Sequence, residues 1–214
     1  VAGLIGIIGD HAARYTWFSQ CLAALEKPEG TVVEWRVGAN RGAMRDELAH
    51  ACLDQGHDWI FFIDDDQAFH RGVLNRLLAH EQPVVSGLIV GRKAPFLPTA
   101  YADKVEGRYR PLDLRSVGAN NLVVVAAAGT GGLLVRSEAL LKLKHGEPWF
   151  VYSEALGEDL FFCERLTEAG VRILVDTGCR IGHIAPAAVF PTFDDEWGVQ
   201  FQFADGTTTD MWRA

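Results

Sequence analysis

The sequence predicts an α/β sandwich with a mostly parallel central sheet, and three observations carry that expectation. Uninterrupted apolar runs such as Leu4-Ile5-Gly6-Ile7-Ile8 and Trp59-Ile60-Phe61-Phe62-Ile63 suit strands buried on both faces. Segments of helical period alternate with them, which is the pattern of β-α-β units. Acidic or glycine-bearing turns follow the strands, where open α/β sheets place their ligands. At 214 residues, 49% of them hydrophobic and 22% charged, the chain can build one domain with a sizeable core but not two.

In chain order, Leu4 to Ile8 is the first strand, closed by Gly9-Asp10. Tyr15 to Leu25 follows as a helix with Phe18, Leu22 and Leu25 on one side, and Thr31 to Val37 as a second strand after Pro28-Glu29-Gly30. Ala43 to Gln55 is an amphipathic helix: Met44, Leu48 and Cys52 recur on one face, and Gly56 ends it. Trp59 to Ile63 is the strongest buried strand, and it stops at Asp64-Asp65-Asp66. A helix near Gly72 to His80 and a strand at Val84 to Val90 come next. Gly91 to Asn121, rich in Pro, Gly and charge, is expected to be a mobile or ligand-facing insertion. Pattern returns at Leu122 to Ala128, at Gly129 to Val135 and in a Ser137-capped helix; then come a helix from Glu158 to Ala169 and a strand from Val171 to Val175. From about Pro186 the tail is aromatic and acidic, with no period assigned to it.

Twenty basic against twenty-eight acidic residues give a formal charge of −8, which excludes a global electrostatic footprint for duplex DNA or anionic membrane. The longest uncharged stretch, Ser116 to Val135, is too polar for a membrane span, and neither a transmembrane helix nor a signal peptide is expected. Cys21, Cys52, Cys163 and Cys179 are widely spaced without a CxxC pair, as expected of reduced thiols in a cytoplasmic protein.

Four constellations carry chemistry. Asp64-Asp65-Asp66, at the tip of an apolar strand, can aim alternate carboxylates into one cavity and hold Mg²⁺ or Mn²⁺ on a diphosphate; the plainer alternative is a solvated acidic turn. Glu158-Asp159 opens a helix, where acids cap the dipole, or where a carboxylate can serve as general base for an acceptor hydroxyl. His183 can ligate a divalent metal or simply pack. Arg41 and Arg45, in a glycine-bearing loop entering a helix, can hold a phosphate or ribose. The run Gly129-Thr130-Gly131-Gly132 reads as a phosphate loop or as a tight turn with close backbone approach. Trp149, Tyr101, Tyr109, Trp197 and Trp212 can stack on an acceptor, and Lys104, Arg108, Arg110 and Arg115 make the insertion locally basic.

Taken in order, Met44-Arg45-Asp46-Glu47-Leu48-Ala49, Trp59 to Asp66, Gly131-Gly132-Leu133-Leu134-Val135-Arg136, Pro148-Trp149-Phe150, Glu158-Asp159-Leu160-Phe161-Phe162-Cys163 and Ala169-Gly170 through Gly182-His183 resemble a GT-A fold glycosyltransferase. The likeness is to the small family-2-like enzymes of bacteria and their phages. It implies a Rossmann-like sandwich in which residues 1–90 form a nucleotide-sugar-binding half and 91–214 an acceptor-binding and catalytic half with a tail. It also implies transfer from a nucleotide-diphospho-sugar, UDP-linked, to an acceptor hydroxyl with Mn²⁺ or Mg²⁺. Asp64 and Asp66 then match the DxD motif and with His183 make up the metal site, Asp66 as the direct ligand and Asp64 nearer the nucleotide ribose or the sugar, and Asp159, with Glu158, matches the catalytic acids, Asp159 as the base of an inverting member. Arg45, Arg41, Asp65, Asp10, Gly131 and Gly132 fall on the donor, and Trp149, Tyr109, Arg108 and Arg110 on the acceptor. The first strand lacks the family's Pro-x-Tyr-Asn ending and the second its Asp-Gly-Ser turn, with Asp10 and His11 as substitutes. A retaining enzyme, a non-catalytic sugar-nucleotide-binding module and a metal-dependent nucleotidyltransferase or hydrolase are the competing readings. The acceptor is a glycan, a protein side chain or a hydroxylated base of phage-type DNA.

Overall fold

The computed structural model describes residues 2–10, 15–93, 95–153, 156–193, 197–203, 206 and 208–213. His11, named above as a substitute for the missing first-strand motif, and the acidic run 194–196 of the tail lie outside the described residues. In chain order the elements are β1 (Gly3–Gly9), α1 (Thr16–Ala24), β2 (Val32–Val37), α2 (Arg41–Asp54), β3 (Trp59–Asp64), β4 (Gln67–Phe69), α3 (Val73–Leu78) and β5 (Val84–Leu88). There follow β6 (Ala100–Val105), β7 (Arg108–Pro111), α4 (Leu114–Val117), β8 (Leu122–Val125), β9 (Ala127–Ala128), β10 (Gly132–Arg136), α5 (Ser137–Leu140), α6 (Glu158–Glu168) and β11 (Ile173–His183). The chain ends in β12 (Ala187–Phe193), β13 (Trp197–Phe203) and β14 (Thr208–Arg213).

The central sheet has the order β2-β1-β3-β10-β5-β11-β4, with β8 on the free side of β11. Strands β2, β1, β3, β5 and β11 share one direction, and β10 is inserted antiparallel between β3 and β5. The fold is therefore mixed α/β with a mostly parallel central sheet, as the apolar runs predict. β3 reads as continuously apolar because both of its faces are covered. Ile60 and Phe62 pack with Leu48 and Phe162, while Trp59, Phe61 and Ile63 pack with Phe18 and Leu74 on the opposite face. Each such fully buried side chain contributes about 1.5–3 kcal/mol through the apolar area it removes from water.

Several elements differ from expectation for local reasons. α2 begins at Arg41 rather than Ala43, because the Asn40 side chain caps it by accepting from the Ala43 amide at 3.0 Å. Ser137 caps nothing: its hydroxyl donates to the His57 carbonyl, and α5 is a single turn. The stretch Leu122 to Ala128 divides between two sheets, β8 pairing with β11 and β9 with β6. The stretch expected to be a mobile or ligand-facing insertion contains a β6-β7 hairpin, whose turn places Glu106 and Gly107 at positive φ. The tail, to which no period was assigned, is a three-stranded antiparallel meander, β12-β13-β14.

The last strand of the core shows the largest extension. β11 was expected to end at Val175, yet it continues through an irregularity between Asp176 and Arg180 to His183, leaving β5 and pairing with β4. Asp176 builds this bulge. Its buried carboxylate accepts from the Gly178 amide at 2.8 Å and the Cys179 amide at 3.1 Å, while Arg76 donates to both oxygens and His80 lies 2.8 Å away. Burial alone would push this carboxyl up, but Arg76, His80 and the Gly178 amide outweigh it and hold it down to about 2. Because the folded value lies below the ordinary one, the stabilisation is complete above pH 3.8 and is lost as pH falls toward 2. Asp176→Asn is expected to cost about 2 kcal/mol or more at pH 7, and urea titrations toward pH 3 should show the gap to wild type narrowing.

Among the described residues no helix is long and apolar enough to cross a membrane, and Cys21, Cys52, Cys163 and Cys179 are all free thiols.

Candidate active site

The site forms where β1 and β3 end together. Their parallel register sets Ile8 opposite Asp64, and the Asp65 amide donates to the Ile8 carbonyl at 3.2 Å, so the three acids turn over the sheet's carboxyl edge. Gly9 leaves room there for the Asp65 carboxylate, which a Cβ at that position would force to shift. The chain then returns as β4, and the pairing of Gln67 with His183 delivers β11 to the same turn. The Ile184 amide closes it by donating to the Asp66 carbonyl at 2.7 Å.

Two cavities meet at this edge. The larger, about 510 Å³, is lined by Gly9, Asp10, Tyr15, Arg41, Asp64, Asp65, Asp66, Arg92 and His183. The smaller, about 280 Å³, is lined among others by Arg45, Asp64, Gln67, Thr130, Gly131, Glu158 and Asp159. Arg41, Asp64 and His183 belong to both. The structure thus brings Asp10, Arg41, Arg45, Asp64, Asp65, Asp66, Gly131, Glu158, Asp159 and His183 to one place, from segments far apart in sequence.

Arg45 is the internal cation of the site. It is only 4% exposed, donates to Asp64 Oδ1 at 2.9 Å and forms an ion pair with the buried Glu158. Burial would favour its neutral form, but the charges of Asp64, Glu158 and Asp159 prevail and keep it protonated. At the cleft mouth Arg41 donates to Asp10 at 2.8 Å. The adjacent Asp159 is different: burial chiefly, with the charges of Glu158 and Asp64 added, pushes its carboxyl up despite Arg45 and the Leu160 amide. A carboxyl raised toward neutrality at a cavity wall is suited to proton transfer.

Asp66 and His183 form a pair, with Nε2 at 3.3 Å from Asp66 Oδ2, while His183 Nδ1 lies 3.2 Å from the Val90 carbonyl. Arg92 donates to the same Asp66 oxygen at 2.6 Å. Burial would raise the Asp66 carboxyl, but His183 and Arg92 outweigh it and hold it low; in turn the hydrogen bond to Asp66 raises His183. Carboxylate oxygen and imidazole nitrogen suit Mn²⁺ or Mg²⁺, and Asp66 Oδ1 is buried without a hydrogen-bond partner, so the pair has capacity for a cation. Among the described residues, however, no three His, Cys, Asp or Glu side chains gather with metal-ligand geometry. Asp64, expected as a third ligand, is turned to Arg45 instead.

The glycines separate into two roles. A Cβ on Gly131 would strike Gln67 Nε2 and lie 2.8 Å from Asp64 Oδ2, so the run 129–132 is a close-approach turn at the site. Gly132, expected on the donor, faces Ile181 and Ile89 in the core, because strand residues alternate in direction.

The expected acceptor surface is not formed by the residues named for it. Trp149 is 2% exposed, stacked on His50, and donates its indole N–H to the Lys144 carbonyl. Tyr109 donates to Glu164, which also pairs with Lys104, while Arg110 forks onto Asp103. Arg108 remains at the start of β7, outside both cavities. Two of the four basic residues of the insertion, Lys104 and Arg110, are thus paired with carboxylates, which weakens the electrostatic argument for a nucleic-acid acceptor. Trp197 and Trp212 lie on β13 and β14. Arg92, Gln67 and Thr130 were missed: Gln67 directly follows the three acids and Thr130 interrupts the glycines, which was the available signal.

No protein-family model and no curated protein sequence matches the chain. Solved structures do resemble it at the level of fold. "A197 from STIV" aligns with a TM-score of 0.61 at 15% identity, covering 100% of this chain and 96% of that one. GalNAc-T7, solved with UDP, GalNAc and Mn²⁺, aligns with a TM-score of 0.60 at 12% identity, over 86% of this chain and 44% of that one. TarS residues 1–349 of S. aureus, in complex with UDP-GlcNAc, gives 0.51 at 12% identity, over 87% and 59% respectively. The chain therefore spans under half of the GalNAc-T7 chain and about three fifths of the TarS chain. The chain shares the fold of these structures, a mixed α/β architecture with a mostly parallel central sheet.

Proposed function

We propose that the chain is a metal-dependent glycosyltransferase that moves a sugar from a UDP-linked donor to an acceptor hydroxyl with inversion. One observation carries the reading: the Asp64–Asp66 turn with His183 and the Glu158–Asp159 helix start face two cavities that share Asp64, His183 and Arg41. A leaving diphosphate in the larger cleft and a sugar in the smaller would meet at that junction. Arg41, paired with Asp10, and Arg92, paired with Asp66, line the larger cleft beside Tyr15, and would exchange those carboxylates for the diphosphate when a donor binds. Residues 1–90 would thus provide most of the donor side and residues 91–214 the catalytic carboxylates, within a single domain.

Asp66 and His183 would hold a divalent cation beside Asp64, and a cation there supplies neutralisation of the charge that develops on the departing diphosphate. Asp159 takes the proton from the attacking hydroxyl; its carboxyl, raised by burial, is basic enough to accept it once ionised. Glu158 stays paired with Arg45 and positions the start of α6. The fold neighbours solved with UDP, UDP-GlcNAc and Mn²⁺ are consistent with this donor class.

The test is a screen of nucleotide-sugars with Mn²⁺ and with Mg²⁺, against glycan, peptide and hydroxymethylated-DNA acceptors. The expected products are UDP and a glycoside whose anomeric configuration, read by proton NMR, is opposite to the donor's. A retained configuration would remove Asp159 as base. Pyrophosphate release would indicate nucleotidyl transfer, and donor binding without transfer a binding module.

A further inference from the structure

Arg92 lies on the larger cleft, between β5 and β6, and donates through Nη1 to Asp66 Oδ2 at 2.6 Å. His183 Nε2 approaches the same oxygen, at 3.3 Å. The other ring nitrogen, Nδ1, faces the Val90 carbonyl at 3.2 Å. Both nitrogens of His183 thus face acceptors, and a neutral imidazole carries one N–H for the two. With that hydrogen on Nδ1, lone pairs of Nε2 and Asp66 Oδ2 oppose each other, an arrangement that positive charge holds together. Arg92, whose side chain is 41% exposed, brings such a charge in from the cleft.

A divalent cation would need the same place. Carboxylate oxygen and imidazole nitrogen are the donors that Mn²⁺ or Mg²⁺ takes, and Arg92 is bonded to the oxygen beside Nε2. Two cations sharing one carboxylate repel each other, so one of them has to leave. Arg92 is the group able to do so. Asp66 is 17% exposed and its backbone carbonyl is tied to the Ile184 amide, and His183 is tied to Val90, whereas Arg92 reaches in from solvent on a long flexible stem.

Resting on the metal site proposed above, we propose that Arg92 is a built-in competitor of the divalent cation: it neutralises Asp66 in the ion's place, and the ion drives it off Asp66 toward the diphosphate. The same guanidinium then opposes the ion alone and favours the ion together with a diphosphate. Once released into the cleft, its planar fork matches phosphate oxygens. Metal and nucleotide are thereby coupled through one side chain, each binding better when the other is present.

The experiment compares the whole chain with its Arg92→Gln and Arg92→Lys variants. Binding of Mn²⁺ alone is followed by its electron paramagnetic resonance signal, and binding of UDP at saturating Mn²⁺ by calorimetry. For Mn²⁺ alone, Arg92→Gln is expected to bind about fivefold tighter than wild type, the worth of a partly exposed ion pair, and Arg92→Lys to stay close to wild type because it keeps the charge. Arg71→Gln, which removes an equal charge from a surface pair with Glu26, should match wild type. At saturating Mn²⁺, UDP should bind Arg92→Gln about fivefold more weakly. The opposite signs are diagnostic, since damage to the site would weaken both and a bystander would move neither. Mn²⁺ affinity in Arg92→Gln at or below that of wild type would overturn the inference. So would an equal gain in Arg71→Gln, or an unchanged UDP affinity in Arg92→Gln. All of these leave the metal-dependent reading intact, whereas absence of Mn²⁺ binding to both wild type and Arg92→Gln would remove both.

Discussion

Asp159→Asn is expected to lower turnover by about 10²–10⁴-fold, the usual worth of a general base, while leaving donor affinity within a few-fold. The amide keeps the shape and still accepts a hydrogen bond, but it cannot take the acceptor's proton. The pH profile provides a sharper check. Because burial raises the Asp159 carboxyl, wild-type kcat should climb with pH as that group ionises, above the range of an ordinary aspartate, and the variant should lack this limb. The stability sign is the reverse. A carboxyl raised in the fold contributes stability below its unfolded pKa that is lost as pH rises through its folded one. At neutral pH, then, Asp159→Asn should melt at or above wild type. Full turnover in the variant would reject Asp159 as the base.

Arg45→Met should be the most damaging single change to the architecture of the site. The guanidinium is 4% exposed and ties Asp64, at the end of β3, to Glu158, at the start of α6. Without it the buried Glu158 carboxylate stands uncompensated beside Asp64, and breaking a buried pair in this way costs about 3–5 kcal/mol. Urea unfolding at pH 7 measures the loss. It should be partly recovered by adding Glu158→Leu, which removes the stranded charge. Arg45→Lys should rescue poorly, since one ammonium cannot reproduce the fork that reaches both carboxylates. A variant as stable as wild type would show that the triad contributes only specificity.

Much of the fold was legible in the chain because the signals are local. β1 and β3 announce themselves as uninterrupted apolar runs since both faces of each are covered, and α2 as an amphipathic helix since one face is not. Asp64 to Asp66 stood out because charge begins where the apolar run ends. The tail was missed although Trp197, Val199, Phe201 and Phe203 alternate strictly along β13, a local signal left unread. Trp149 was misjudged because sequence reports that a residue is aromatic, not whether it is 2% exposed.

The sequence by itself determined the alternation of strands and helices, the acids at the end of β3 and the carboxylates at the start of α6. Each follows from hydrophobic period and helix-end chemistry within a few residues. Only the tertiary structure decided how these pieces act together. It extended β11 past the Asp176 bulge so that His183 meets Asp66, joined Arg45 to Asp64 and Glu158, and set Arg92 on the Asp66 carboxylate. The reason is physical. Strand register and burial depend on partners as much as a hundred residues away, and it is burial, not residue type, that raises Asp159.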